Sequence, residues 1–534
     1  MDHRNRFRLE SLGIFLFALL LFTVGIWDQQ PQGFDGRWAL FLQEMFRHGA
    51  SLFPTTYGQP YADYPGTATF FSFVFARVFG APNHLANILP TALASAGVIA
   101  LLYRLLAPAS RQWALLAVLL TLLTTQLLEK SRSVCLDQMV ALLCLGSFYL
   151  MHSGERMGSR LRLLLVFPLF ILGFAIRGPL GLIEVCGVAC VYSALGNPGQ
   201  RVRQVLIHGL VGLVLLAGCW WLLIKLARIS GGDAFADDVF RMQVGGRLDE
   251  SGEPFYFYLQ LSLYRYFPVV PLALATLFAL RHRWHARFDP PLQLVVRLGA
   301  CGLMILIGLS VPHFKRAYYI LPMVPMFAAV AAYGLLQAQG WLAGVRRCYE
   351  VLVAALPALC VVVLFVCRHA WQKHGYWPDI SLSWWVAVLV ALQIAAVIAW
   401  RRAARLVSLS LIALVAQWLL LVVVVEPAKD LQFDTRQFVS QVEALRTTQP
   451  GPLVFIDLGR DTWAVRYMMN LDHDEQPVFL AGNQLERLAA VPRPAWVIIA
   501  RKQTAELEGT PLEHQPAMFD GRLNDNALSV FLLK

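Results

Sequence analysis

Three carboxylates interrupt aromatic or apolar sequence in a way that suits chemistry: Asp35 in Gly33-Phe34-Asp35-Gly36-Arg37-Trp38-Ala39, Asp63 in Tyr61-Ala62-Asp63-Tyr64-Pro65, and Asp137 in Leu136-Asp137-Gln138. Cations stand in similar settings: Arg37, Arg177 before Gly178-Pro179, Arg241, and Lys315 and Arg316 ahead of Ala317-Tyr318-Tyr319-Ile320-Leu321-Pro322. Glu253, in Glu253-Pro254-Phe255-Tyr256, and the tyrosines Tyr61, Tyr64 and Tyr319 are candidates to line the same cavity. A carboxylate orients or deprotonates a hydroxyl nucleophile. Arginine and lysine hold a departing phosphate by charge-assisted hydrogen bonds. Asp35, Asp63 and Asp137 also have the oxygen chemistry for a divalent cation, although nothing in the sequence demands one.

The elements that carry these residues cross a membrane. Hydrophobic residues make up 57% of the 534 and charged ones only 15%, against roughly 25% charge in soluble domains. Apolar runs of about 17–22 residues recur, each long enough for a hydrocarbon core of ~30 Å, and a backbone in lipid must bond to itself as helix. Candidate spans are 10–27, 84–107, 111–128, 134–152, 160–177, 179–195, 205–226, 258–281, 292–311, 317–336, 350–368, 383–401 and 406–425, about thirteen helices. The first follows Arg4, Arg6 and Arg8 without a small-residue cleavage site, and reads as a retained anchor.

Basic residues cluster in alternate connections, at Arg104/Arg111, Arg156/Arg160/Arg162, Arg201/Arg203, Arg281/Arg283/Arg287, Arg346/Arg347 and Arg401/Arg402/Arg405. Positive loops mark the cytoplasm. The N-terminus is therefore expected inside and the segment 426–534 outside, and the net charge of +11 is topology, not a nucleic-acid surface. The expected domains are 1–425, with long outer loops at 28–83 and 227–257, and a small C-terminal α/β domain at 426–534. Within that domain Leu453–Ile456, Ala495–Ala500 and Ser529–Leu533 read as strands, and 436–445 and 483–490 as helices. In the first loop, residues 36–48 read as a helix lying flat on the bilayer, with Trp38, Leu42, Met45 and Phe46 on one side. The nine cysteines lack metal-type spacing; Cys186 and Cys190 read as packing, and His282 and His285 as headgroup contacts in a cytoplasmic loop.

All the candidate residues fall on the outer side, where intramembrane acids and bases are functional suspects. Nucleotide sugars are absent there, and no Walker or dinucleotide glycine motif occurs. The chemistry that suits the set is glycosyl transfer from a polyprenyl phospho-sugar. Over about residues 12–335, the ordered motifs Asp35-Gly-Arg-Trp-Ala, Tyr61-Ala-Asp-Tyr-Pro, Leu136-Asp137, Arg177-Gly178, Glu253-Pro-Phe-Tyr and Lys315…Tyr319-Ile-Leu-Pro resemble the membrane-embedded GT-C glycosyltransferases. The bacterial branch with the lipid A aminoarabinose transferase and the protein O-mannosyltransferase relatives is the most similar.

By that resemblance Asp35 corresponds to an acid of the first-loop Asp-Glu pair, and Arg37 to the arginine or polar residue after it. Asp63 matches the acid of Tyr-x-Glu-x-Pro, Asp137 the acid opening the fourth span, Arg177 a lysine, and Lys315 the basic residue before Tyr-Ile-Leu-Pro. The resemblance implies an inverting transferase of the bacterial cytoplasmic membrane, with a lipid, glycan or protein acceptor. Two departures stand out: Phe34-Asp35 replaces adjacent acids, and Tyr64 stands where the aminoarabinose enzymes have a lysine. A transporter of lipid-linked saccharides would use a similar cavity without chemistry, but the paired repeats common in transporters are not visible. A non-catalytic member is the third reading.

Overall fold

The computed structural model describes residues 3–63, 65–245, 252–281, 289–523 and 526–534. The chain is a mostly helical, multi-pass membrane protein. All thirteen apolar runs are helical along much of their length, and among the described residues six helices are by length and apolarity alone able to cross a bilayer. These are His84–Leu106, Arg201–Gln243, Pro290–Ser310, Trp341–Gln372, Leu382–Trp400 and Arg405–Thr448.

The first eleven helices set up the site: α1 (His3–Thr23), α2 (Asp35–His48), α3 (Thr67–Phe79), α4 (His84–Leu106), α5 (Arg111–Leu123), α6 (Thr125–Lys130), α7 (Leu136–Met157), α8 (Arg160–Leu164), α9 (Val166–Arg177), α10 (Pro179–Ala194) and α11 (Arg201–Phe240). Three differ from expectation. First, α2 does not lie alone on a membrane surface, because both its faces are covered. Trp38 and Phe41 join the core of the helical bundle, Leu42 packs with Ala76 and Ala86, and Leu40 enters the core of the C-terminal sheet. Second, α3 is a further apolar helix inside the first loop, with Phe70, Phe71, Val74 and Val78 exposed as a lipid-facing helix requires. Third, the loop expected at 227–257 is helical as far as Phe240. Gly232 (φ 78°) breaks α11 there, and the helix resumes because Phe235, Ala236 and Val239 form a buried stripe at helical spacing.

The turn Arg177-Gly178-Pro179 separates two packed helices. Gly178 has φ 68°, and Pro179 starts α10, where its missing N–H costs nothing. The helices approach so closely that a Cβ on Gly181 would lie 2.3 Å from the carbonyl oxygen of Gly173 and 2.9 Å from the Cβ of Arg177. Gly181→Val is therefore expected to separate α9 from α10, lower the unfolding temperature and displace Arg177; thermal unfolding in detergent checks the first effect.

Residues 436–534 form an α/β layer on a five-stranded sheet. Its strands are β3 (Leu453–Ile456), β4 (Val478–Leu480), β5 (Ala495–Ala500), β6 (Phe519–Leu523) and β7 (Asn526–Leu533), in the order β4-β3-β5-β7-β6; β1 (Thr55–Thr56) and β2 (Gln59–Pro60) form a separate hairpin in the first loop. β3 runs parallel to β4 and β5, while β7 is antiparallel to β5 and β6. The first loop is stitched to this region. Gln30 receives the Thr435 backbone N–H at 3.0 Å and donates its own backbone N–H to Asp430 at 2.8 Å, and Gln43 and Arg47 donate to the carbonyls of Met469 and Leu471.

Candidate active site

A cavity of about 730 Å³ opens where α2, the turn between α6 and α7, the end of α9, the 314–319 segment and residues 421–466 meet. Asp35, Arg37, Tyr61, Asp63, Asp137, Arg177, Arg316 and Tyr319 all line it. Residues spread over 285 positions of sequence thus converge because the helices carrying them pack side by side.

Asp35 begins α2, where the helix dipole favours a negative charge. It is only 7% exposed, and its Oδ2 accepts the Val134 N–H at 3.2 Å. Burial pushes its carboxyl up to about 7, with Lys130 and the Val134 amide opposing the rise and Glu129 adding to it. Such a group changes protonation near neutral pH, as a general base must. Arg37, two residues along α2, donates to the backbone carbonyl of Asp461 at 3.0 Å and stacks over the Tyr61 ring at 5.2 Å. Phe34 is 53% exposed, with Arg37 over it at 5.9 Å and Arg316 at 5.5 Å.

Asp137, in the first turn of α7, and Arg177, the last residue of α9, form a buried ion pair with Nε–Oδ1 at 3.1 Å and side-chain exposures of 3% and 2%. The Arg177 guanidinium also lies over Tyr319 at 4.7 Å. Asp63 is half-buried, and its backbone carbonyl accepts a hydrogen bond from Gln243.

Three expected residues do not join them. Arg241 points into the surroundings, paired with Asp238 at 2.8 Å, and its neighbour Met242 lines the cavity instead. The i,i+3 spacing on a helix supplies Arg241 with that local partner. Lys315 is buried outside the cavity lining, where its Nζ donates to the Glu253 carbonyl at 2.8 Å. Glu253 is exposed, and its contacts run through its main chain, whose N–H meets the His313 carbonyl at 3.1 Å. Tyr64 lies outside the described residues, as do His282 and His285. Among the described residues no group of three or more His, Cys, Asp or Glu side chains, the three candidate acids included, is placed to hold a metal ion.

The structure adds lining residues that motif spacing passed over: His84, Glu129, Lys130, Arg132, Glu426, Lys429, Asp461 and Arg466. Glu129, Lys130 and Arg132 had a legible signal, since they are charges in a short outward turn between apolar runs. The last four had none, because nothing local marks a C-terminal segment that folds back over the first loop. Arg132, with 1% side-chain exposure, makes a bidentate pair with Glu426, both contacts at 2.6 Å, and donates to the carbonyls of Leu21 and Val24 at 2.7 Å.

The whole structure aligns with ArnT from Cupriavidus metallidurans bound to undecaprenyl phosphate, at TM-score 0.72 and 16% identity over 97% of each chain. The chain shares the GT-C fold of that protein. The GT-C alignment holds equally for the apo state of that ArnT, at TM-score 0.72 and 14% identity over 99% of this chain and 98% of the other. The apo Archaeoglobus fulgidus oligosaccharyltransferase aligns at TM-score 0.50 and 11% identity, over 92% of this chain and 70% of that one. Within the GT-C fold, residues 63–223 match the family model described as dolichyl-phosphate-mannose-protein mannosyltransferase. Comparison with curated protein sequences gave no significant match.

Proposed function

We propose that this GT-C glycosyltransferase moves a sugar, with inversion, from a polyprenyl-phosphate-linked donor to an envelope acceptor at the outer face of the bacterial cytoplasmic membrane. The observation that carries the reading is one cavity holding a buried acid that titrates near pH 7 beside Arg37 and Arg316, neither of which has an ion-pair partner among the described residues. In the proposed step Asp35 takes the proton from the acceptor hydroxyl. The freed oxygen bonds to the anomeric carbon, and the carbon–oxygen bond to the phosphate breaks. The phosphate keeps the electron pair, stabilised by Arg37 and Arg316. Asp137 holds Arg177 in orientation, and Asp63 shapes the acceptor side. Undecaprenyl phosphate bound to the similarly folded ArnT supports a lipid-linked donor.

The topology belongs to the same reading. Thirteen crossings put the N-terminus in the cytoplasm and the C-terminal α/β domain (426–534) outside, while 1–425 forms the membrane domain. The acceptor is a lipid A-type lipid or another glycan, with a protein hydroxyl as the remaining class.

The test is a transfer assay on purified protein with a panel of polyprenyl phospho-sugars and envelope acceptors. Arg316→Met is expected to raise the donor KM about tenfold, whereas Arg241→Met leaves it unchanged. Equal effects of the two substitutions would sink the assignment of Arg316 to the phosphate.

A further inference from the structure

Some cations on the cavity wall are within ion-pair distance of no carboxylate among the described residues. Arg132 is taken by Glu426, Arg177 by Asp137 and Lys429 by Glu129. Arg37, Arg316 and Lys130 have no ion-pair partner among the described residues, and all three line the cavity. Two of them follow from motifs. Lys130 does not.

Its position is built, not incidental. Lys130 ends α6, and the residues after it are locked: Ser131 is fully buried, with its N–H and Oγ both bonded to the Leu127 carbonyl at 2.8 Å, and Arg132 is held by Glu426. The half-buried Lys130 side chain places its ammonium 5.4 Å from the centre of the Tyr318 ring, and no hydrogen-bond acceptor meets it among the described residues. Tyr319, whose ring centre is 5.4 Å from that of Tyr318, carries the Arg177 guanidinium. One short stretch, 316–319, therefore gathers Arg316 itself, Lys130 over one tyrosine and Arg177 over the next. An ammonium held by a ring, close enough to Asp35 to oppose the rise of its carboxyl, and met by no acceptor among the described residues, suits an anion with several oxygens.

We propose that Lys130 binds the phosphate of the lipid carrier together with Arg37 and Arg316. This rests on the donor reading above and adds a residue outside its motifs. The test measures binding of undecaprenyl phosphate, and of uncharged undecaprenol, to the full-length protein in phosphatidylcholine nanodiscs. Lys130→Met is expected to weaken undecaprenyl phosphate about tenfold, Lys130→Arg to stay within about threefold of wild type, and undecaprenol affinity not to change. Lys130→Gln replaces the Met variant if that one is not monodisperse.

A Lys130→Met affinity within about twofold of wild type would overturn the proposal, as would equal losses for undecaprenol, which mark a structural role. Competition by phosphatidylglycerol as strong as that by undecaprenyl phosphate would also overturn it, by making the site a headgroup contact. A wild-type protein that binds neither polyprenyl lipid refutes the donor reading itself, which keeps the two failures apart.

Discussion

Asp35→Asn is expected to lower sugar transfer about a thousandfold while leaving the protein folded, the scale on which a positioned general base acts. The amide keeps the size and shape of the carboxyl but cannot take a proton. Because burial pushes the Asp35 carboxyl up to about 7, wild-type transfer should rise with pH and level off above an apparent pKa near 7.

The same shift makes a prediction of opposite sign for stability. A carboxyl at about 7 in the folded chain and near 3.9 in the unfolded one binds its proton more tightly when folded. Its contribution to stability is therefore fully present below pH ~4 and is lost as pH rises through about 7. Asp35→Asn, which carries no charge at any pH, should raise the unfolding temperature relative to wild type at pH 8.5 and much less at pH 5. A variant that is both inactive and more stable at alkaline pH would show that the site holds its base at a cost in stability. Transfer within tenfold of wild type would remove Asp35 from the mechanism.

The second large effect concerns the join between the first loop and the C-terminal segment. Arg132→Met should destabilise the protein by about 3–5 kcal/mol, because it leaves Glu426 in a largely buried site without its charge partner. It also frees the carbonyls of Leu21 and Val24. Arg132→Met combined with Glu426→Leu should recover much of that loss, since a buried ion pair replaced by apolar groups of similar volume is often neutral. Thermal unfolding of the two variants and wild type in nanodiscs decides the matter, and a double variant no better than Arg132→Met would show that the carbonyl contacts dominate. Donor binding by the single variant should fall as well, because Arg132 fixes the backbone turn on which Lys130 stands.

Much of this architecture is written in local sequence. The apolar runs specify helices because lipid offers a backbone no other partner. β3 and β5 occupy the stretches expected of them, because short apolar runs bounded by Pro and Gly have few alternatives to buried strands. Asp35, Asp137 and Arg177 stood out because a charge near membrane depth is too costly to keep without a reason.

What local sequence does not hold is pairing. Arg241 and Arg316 read alike in the chain, as cations beside apolar residues on the outer side. Only the tertiary structure separates them, giving Arg241 a carboxylate one helical turn away and setting Arg316 over Phe34 inside a cavity. Asp137 reads in the chain as a candidate catalytic acid, and packing brings Arg177 to it from 40 residues away. Asp461, Arg466 and Glu426 gave no signal at all, since a residue over 280 positions from its neighbours is marked by nothing in its own vicinity. Sequence alone determined which segments are helices and which residues are too expensive to be idle. The partner each charge finds, and so whether it holds the fold or meets substrate, was decided by how those helices pack, because electrostatic interactions depend on distance in space and not along the chain.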